Sequence, residues 1–172
     1  MILVESDNDG EWDSRTDWHA LAEKAARAAI ASSRHAALLD SAVDAEISVK
    51  FASDMVVQAL NAAYRAADKP TNVLSFPMVD SELLDALTAA DGGDILLGDV
   101  VLAHGVCVHE AAAKRIAIEA HAAHLVVHGV LHLLGYDHES SDADAEAMEE
   151  LEQQALGAIG VSDPYAVTEV QT

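Results

Sequence analysis

A single cysteine, Cys107, excludes an internal disulfide and any zinc finger built from several thiolates, and it fits a reducing compartment. Aromatic residues are also scarce: two Trp, three Tyr and two Phe, in a chain that is 51% hydrophobic and rich in alanine. A core of small side chains rather than stacked rings points to helices and away from an all-β fold. Apolar runs such as Ile95–Leu97 and Val100–Ala103 fall far short of the roughly 20 residues of a membrane span. No charged-then-apolar leader opens the chain, so the expectation is a cytoplasmic protein with no membrane partner. Cations are few as well: nine Lys and Arg stand against 30 acidic residues, for a formal net charge of −21. Affinity for a phosphate backbone comes largely from cations that displace counterions, so this composition argues against a protein that grips DNA or RNA by its own field.

At 172 residues the chain has the size of one domain, spanning 1–172. Met1–Glu5 reads as an opening strand, and the spacing of Trp18, Leu21, Ala25 and Ala29 predicts an amphipathic helix from about Thr16 to Ala37, capped by Thr16 or Asp17. In residues 45–52, Ile47, Val49 and Phe51 alternate with Glu46, Ser48 and Lys50, as in a half-buried strand. Ser53 caps a second helix to about Tyr64, and a loop containing Pro70 leads to a strand at 73–76. The acidic segment 78–94 holds a helical turn around Glu82–Ala89, and another strand surrounds Gly98-Asp99. Helical pattern then runs from Val106 to Leu134, long enough for two helices although no Gly or Pro marks a break, and a last helix covers Asp142–Ala158 with glutamates on its outer face. Strands and helices in mixed order predict an α+β fold, a small mixed sheet of about four strands flanked by helices.

The stretch HGVLHLLGYDH, from His128 to His138, carries the chemistry. His128 and His132 are four apart, so on a helix both imidazoles project from one face about one turn apart, as two ligands of one metal require. Gly135 is placed to end that helix in a left-handed conformation and turn the chain back, which brings His138 within reach. Three ligands leave a fourth position open, the arrangement of a catalytic zinc site at the end of a helix. His124 has no ligand six residues beyond its own i+4 partner, because that position is Leu134, so it reads as a packed histidine or one that supports a ligand, and His121 as exposed. His19, His35, His104 and His109 read as surface or satisfied core residues. The pattern is similar to H-E-x-x-H of metalloproteases, but Gly129 stands where their general base would be. Asp137 is the nearest carboxylate, either a base or an orienting group, or equally an aspartate that stabilises the turn.

HGVLHLLGYDH resembles, at every fixed position, the signature of the YbeY family of bacterial metal-dependent endoribonucleases. LNAAYRAADKPTNVLSFP (60–77) and LGDVVLA (97–103) are similar to two further blocks of that family, and the resemblance is strongest over 45–160. It implies a zinc ion on His128, His132 and His138, a functionally important arginine at Arg65, and single-strand cleavage in maturation of the 3′ end of small-subunit ribosomal RNA and in ribosome quality control. The partners it implies are ribosomal RNA or a pre-ribosomal particle, with a small-subunit ribosomal protein or an Era-like GTPase. Arg65 near a metal would bind a scissile phosphate bidentately; without the resemblance it would read as an arginine tying down the Pro70 loop. Asn72 departs from the family, which usually carries Asp there. A metalloprotease-like hydrolase, or a ribosome-assembly factor with a structural metal, are the other readings of the same residues.

Overall fold

The computed structural model describes residues 1–137 and 140–165. The chain runs β1 (Ile2–Asn8), α1 (Trp18–Ser32), a 3-10 turn (Ala36–Asp40), β2 (Asp44–Ala52), α2 (Asp54–Arg65), β3 (Val73–Pro77), α3 (Ser81–Thr88), β4 (Asp94–Ala103), α4 (His104–Lys114), α5 (Ile118–Leu133) and α6 (Asp142–Ala158). The four strands lie in the order β1-β2-β4-β3; β1, β2 and β4 are parallel, and β3 closes one edge antiparallel to β4. This is the expected α+β class.

Alternation along the strands divides the sheet between two cores. Ile47, Val49 and Phe51 of β2 and Val100 and Leu102 of β4 face the large core under α1, α5 and α6, whereas Val101, Ala103, Ala52 and Leu74 face a small core under α2. Helix α5 runs through the centre of the large core, with eleven of its residues buried. Gly129 lets it lie against the sheet, because a Cβ there would come within 2.7 Å of a Val100 methyl carbon. Among the described residues no single helix is long and apolar enough to cross a membrane; α4 and α5 would qualify only as a pair, and they are bent by 114°.

Several element ends differ from the sequence reading. β1 extends to Asn8 because its polar end keeps pairing with β2, Asn8 opposite Phe51. α1 stops at Ser32: the Ser33 hydroxyl and N–H both bond the Ile30 carbonyl, and the chain then turns extended before the separate 3-10 turn. Its cap is Asp17, which accepts from the Ala20 N–H, and Ser53 caps α2 as expected. The long helical pattern does break, at Arg115, which takes the left-handed conformation (φ 58°) that glycine usually supplies at a helix end. An arginine there hides the break from any search for Gly or Pro.

Candidate metal centre and its surroundings

The C-terminal half of α5 carries His128 and His132 on one face, and their Nε2 atoms face each other at 3.1 Å. Two imidazole nitrogens held by one tetrahedral ion at about 2.0–2.1 Å would sit roughly 3.3 Å apart, so the pair already has nearly the separation of two ligands. Behind His128 lies a residue that the sequence reading misplaced. Glu152 of α6, expected on the outer face, is 1% exposed. It accepts a hydrogen bond from His128 Nδ1 at 2.8 Å, one from His124 Nε2 at 2.7 Å and one from the Tyr165 hydroxyl at 2.5 Å. With Nδ1 donating to Glu152, His128 presents the Nε2 lone pair towards His132, the tautomer a metal ligand needs. A buried carboxylate is tolerated here because three donors satisfy it.

Burial alone would raise the Glu152 carboxyl, but the hydrogen bonds from His124, His128 and Tyr165 outweigh it and hold the group down at about 2. Burial and the adjacent Glu152 push the Tyr165 hydroxyl well above the ordinary tyrosine range, so it stays a donor. A signal for Glu152 existed in the sequence. Met148, Glu152, Ala155 and Leu156 share the buried stripe of α6, and a glutamate inside an apolar stripe needs buried partners.

Gly129 faces Val100 in the sheet, which explains the missing glutamate of H-E-x-x-H: a carboxylate at that position would enter the core. After Leu134 the chain turns as Gly135 predicts, with φ 99°, the Gly135 N–H bonded to the His132 carbonyl and the Tyr136 N–H to the Leu131 carbonyl. The Tyr136 hydroxyl accepts from the Arg34 N–H and pins the turn to the end of α1. Asp137 is exposed and accepts from the Ser140 hydroxyl at 2.7 Å, a contact within the turn. His138 lies outside the described residues. Among the described residues no group of three His, Cys, Asp or Glu donors forms, so the structure brings together two of the three expected ligands.

The N-terminal half of α5 holds a second histidine–carboxylate pair, and here the expectation fails. His121 is 1% exposed rather than solvent-facing, with Nε2 at 2.7 Å from Glu110 of α4. The bend at Arg115 folds α4 back against this face, which an unbroken helix would have left open. Glu110 also accepts from the Asn72 side-chain amide at 3.1 Å, so Asn72 and His121 share one carboxylate as donors. Burial would raise the Glu110 carboxyl, but the His121 and Asn72 hydrogen bonds bring it below its usual range; burial lowers His121. Burial, with Glu110 and Asp54 nearby, pushes the Cys107 thiol up to about 12, which leaves it an inert core group.

Arg65 ends α2 on the other face of the sheet. It is exposed, donates to the Ser75 carbonyl of β3 at 2.6 Å and lies over the Phe76 ring at 5.5 Å. It lines an open cavity of about 680 Å³ with Lys50, Tyr64 and Asp99 among its walls. Its described contacts are to β3, not to the histidines or the Pro70 loop. The edge strand β3 is the shared element, because α5 packs on β3 from the opposite side.

A family model described as Endoribonuclease YbeY matches residues 7–160. The chain belongs to the YbeY family. It is 53% identical to Endoribonuclease YbeY of Rhizorhabdus wittichii, over 98% of this chain and 99% of that protein. It is 48% identical to Endoribonuclease YbeY of Sphingopyxis alaskensis, over 96% and 98%. The solution structure of TM1509 from Thermotoga maritima shares the fold, with a TM-score of 0.51 and 23% identity over 92% of this chain and 91% of that one.

Proposed function

We propose that this YbeY-family chain is an endoribonuclease of ribosomal RNA maturation and quality control, working at the 3′ end of the small-subunit RNA in the cytoplasm, and that it depends on one zinc ion. The observation that carries the metal reading is the convergence of His128 and His132 Nε2 in front of buried Glu152. His138 would complete the donor set. When bound, the ion supplies Lewis-acid chemistry: it draws charge from a phosphoryl oxygen and makes water a better nucleophile near neutral pH. Glu152 holds the His128 ring in one orientation and tautomer. Arg65, anchored to the β3 edge through one of its nitrogens, would offer the rest of its guanidinium to a phosphate and offset charge that grows during cleavage. Asp137, exposed in the turn that follows the histidine pair in sequence, is the carboxylate to which we assign uptake or release of a proton.

The metalloprotease reading loses its base, since position 129 points into the sheet. RNA presented by a pre-ribosomal particle, through a small-subunit ribosomal protein or an Era-like GTPase, fits a chain whose net charge of −21 cannot steer it to naked RNA over a distance. The test is cleavage of structured small-subunit ribosomal RNA by metal-analysed protein. Cutting that stops on chelation and returns with zinc supports the proposal; intact RNA with fully loaded protein contradicts it.

A further inference from the structure

The nine cations of this acidic chain are not spread evenly. Arg15 and Arg27 are taken up by ion pairs with Asp13 and Glu23, and Lys50 and Arg65 border the cavity on the α2 face. Three more, Lys24, Lys114 and Arg115, line a different cavity of about 850 Å³, between α1, the α4–α5 bend and the segment after α6. None of the three makes a salt bridge among the described residues. Lys114 is near enough to Glu110 to help lower its carboxyl, and with Glu119 and Asp163 also in the lining the cavity sets three cations against two carboxylates, a far less negative wall than the chain as a whole with its 30 acids.

Two further features give this cavity a direction. It opens onto the N-terminus of α5, where Ala117 provides no side-chain cap and the first helical hydrogen bond is His121 N–H to the Ala117 carbonyl. The first-turn amides of a helix have no intrahelical acceptor and the helix dipole favours an anion there, a position Glu119 of this turn already approaches. Leu21, Ile116, Ala123 and Val161 make an apolar part of the wall. Two carboxylates also line it, and both have donors: Glu119 accepts from the Thr16 hydroxyl, and Asp163 from the Tyr165 N–H. An apolar wall with a cationic rim suits a nucleotide, whose base is flat and apolar-faced and whose phosphate is anionic.

We propose that this cavity holds a nucleotide of a single-stranded RNA away from the point of cleavage, its base against Leu21, Ile116 and Val161 and its phosphate towards Lys24, Lys114, Arg115 and the α5 N-terminus; this rests on the endoribonuclease reading above. Ile118 and His128 are ten residues apart on one helix, so this cavity lies about 15 Å from the histidine pair measured along α5. His124, which also lines the cavity, is bonded to the same Glu152 that supports His128.

The test compares metal-loaded wild type, the double variant K24Q/K114Q and the control K69Q, a cation outside both cavities. Each is titrated with a short labelled single-stranded oligoribonucleotide and with adenosine monophosphate, and cleavage is measured as KM and kcat. The double variant should lose roughly five-fold in oligonucleotide affinity per cation at about 0.1 M salt, near 25-fold together, with a salt slope shallower by about 1.4. KM should rise with kcat unchanged, and K69Q should behave as wild type. A double variant that binds the oligonucleotide as wild type does would overturn the inference and leave the activity intact. Adenosine monophosphate bound at the cavity with no change in oligonucleotide affinity would also overturn it, marking a mononucleotide site instead. Wild type that does not bind the oligonucleotide would overturn this inference alone, whereas metal-loaded wild type that leaves structured small-subunit ribosomal RNA intact would remove the endoribonuclease reading itself.

Discussion

The two halves of α5 each carry a histidine bonded to a carboxylate, half-buried Glu110 in one and buried Glu152 in the other, and they differ in what the other ring nitrogen meets. In the N-terminal half, His121 donates to Glu110 while its Nδ1 is buried with no hydrogen-bond partner among the described residues, so the pair is closed and holds α4 against α5. In the C-terminal half, His128 bonds Glu152 through Nδ1 and turns Nε2 towards His132 at 3.1 Å. The same pairing closes a packing contact in one place and orients a second ring nitrogen towards another histidine in the other. The deciding factor is which nitrogen faces the carboxylate.

The largest effect concerns whether the open half of α5 works together with Arg65 across the β3 edge. Arg65→Ala should lower RNA cleavage by roughly 100-fold or more, as loss of a transition-state donor does, with metal content and melting temperature retained. Lysine should rescue only in part, since it restores charge without the two-pronged geometry. Cleavage rate, metal content and melting temperature on one preparation decide it. Normal cleavage, or loss of activity that follows a large fall in melting temperature, would make Arg65 a clamp on β3.

Next comes the carboxylate itself. Glu152→Gln should weaken zinc binding about 10- to 100-fold, the usual cost of removing the group that orients a ligand histidine. A competition titration against a chelating dye reads this without reference to activity. Unchanged affinity would reduce Glu152 to a packing residue like Glu110.

The smallest effect lies in the closed half. Asn72→Asp replaces the donor to Glu110 with a second carboxylate, at a cost of about 1–3 kcal/mol at neutral pH. Facing carboxylates raise the pKa of one of them above its unfolded value, so the loss should be present at pH 7–8 and diminish as pH falls and that group takes a proton. In the wild type the sign is opposite: the Glu110 carboxyl is lowered in the fold, so its contribution is present above the ordinary glutamate range and fades on acidification. Melting temperatures of both proteins from pH 8 to pH 5 should therefore converge.

Patterns with one period were legible in the sequence, and features that depend on two elements meeting were not. The alternation of Ile47, Val49 and Phe51 set β2 and its buried face, Ser53 and Asp17 marked helix starts, and His128, His132 and Gly135 marked a facing histidine pair and the turn after it. The break between α4 and α5 was hidden because an arginine occupies the left-handed position. That hidden break then made His121 look solvent-exposed, since only the bend brings Glu110 to it. Glu152 was missed for a related reason: its partners lie 24 and 28 residues away, on another helix. The clustering of Lys24 with Lys114 and Arg115 likewise joins α1 to the α4–α5 bend.

The central claim, that the open half of α5 holds the metal and the closed half does not, is tested most directly by metal content per chain in His128→Ala and His121→Ala, purified alongside the wild type. The account predicts one zinc per chain in the wild type and in His121→Ala, whose melting temperature should fall because Glu110 loses its partner, and none in His128→Ala. Zinc retained by His128→Ala and lost by folded His121→Ala would contradict it.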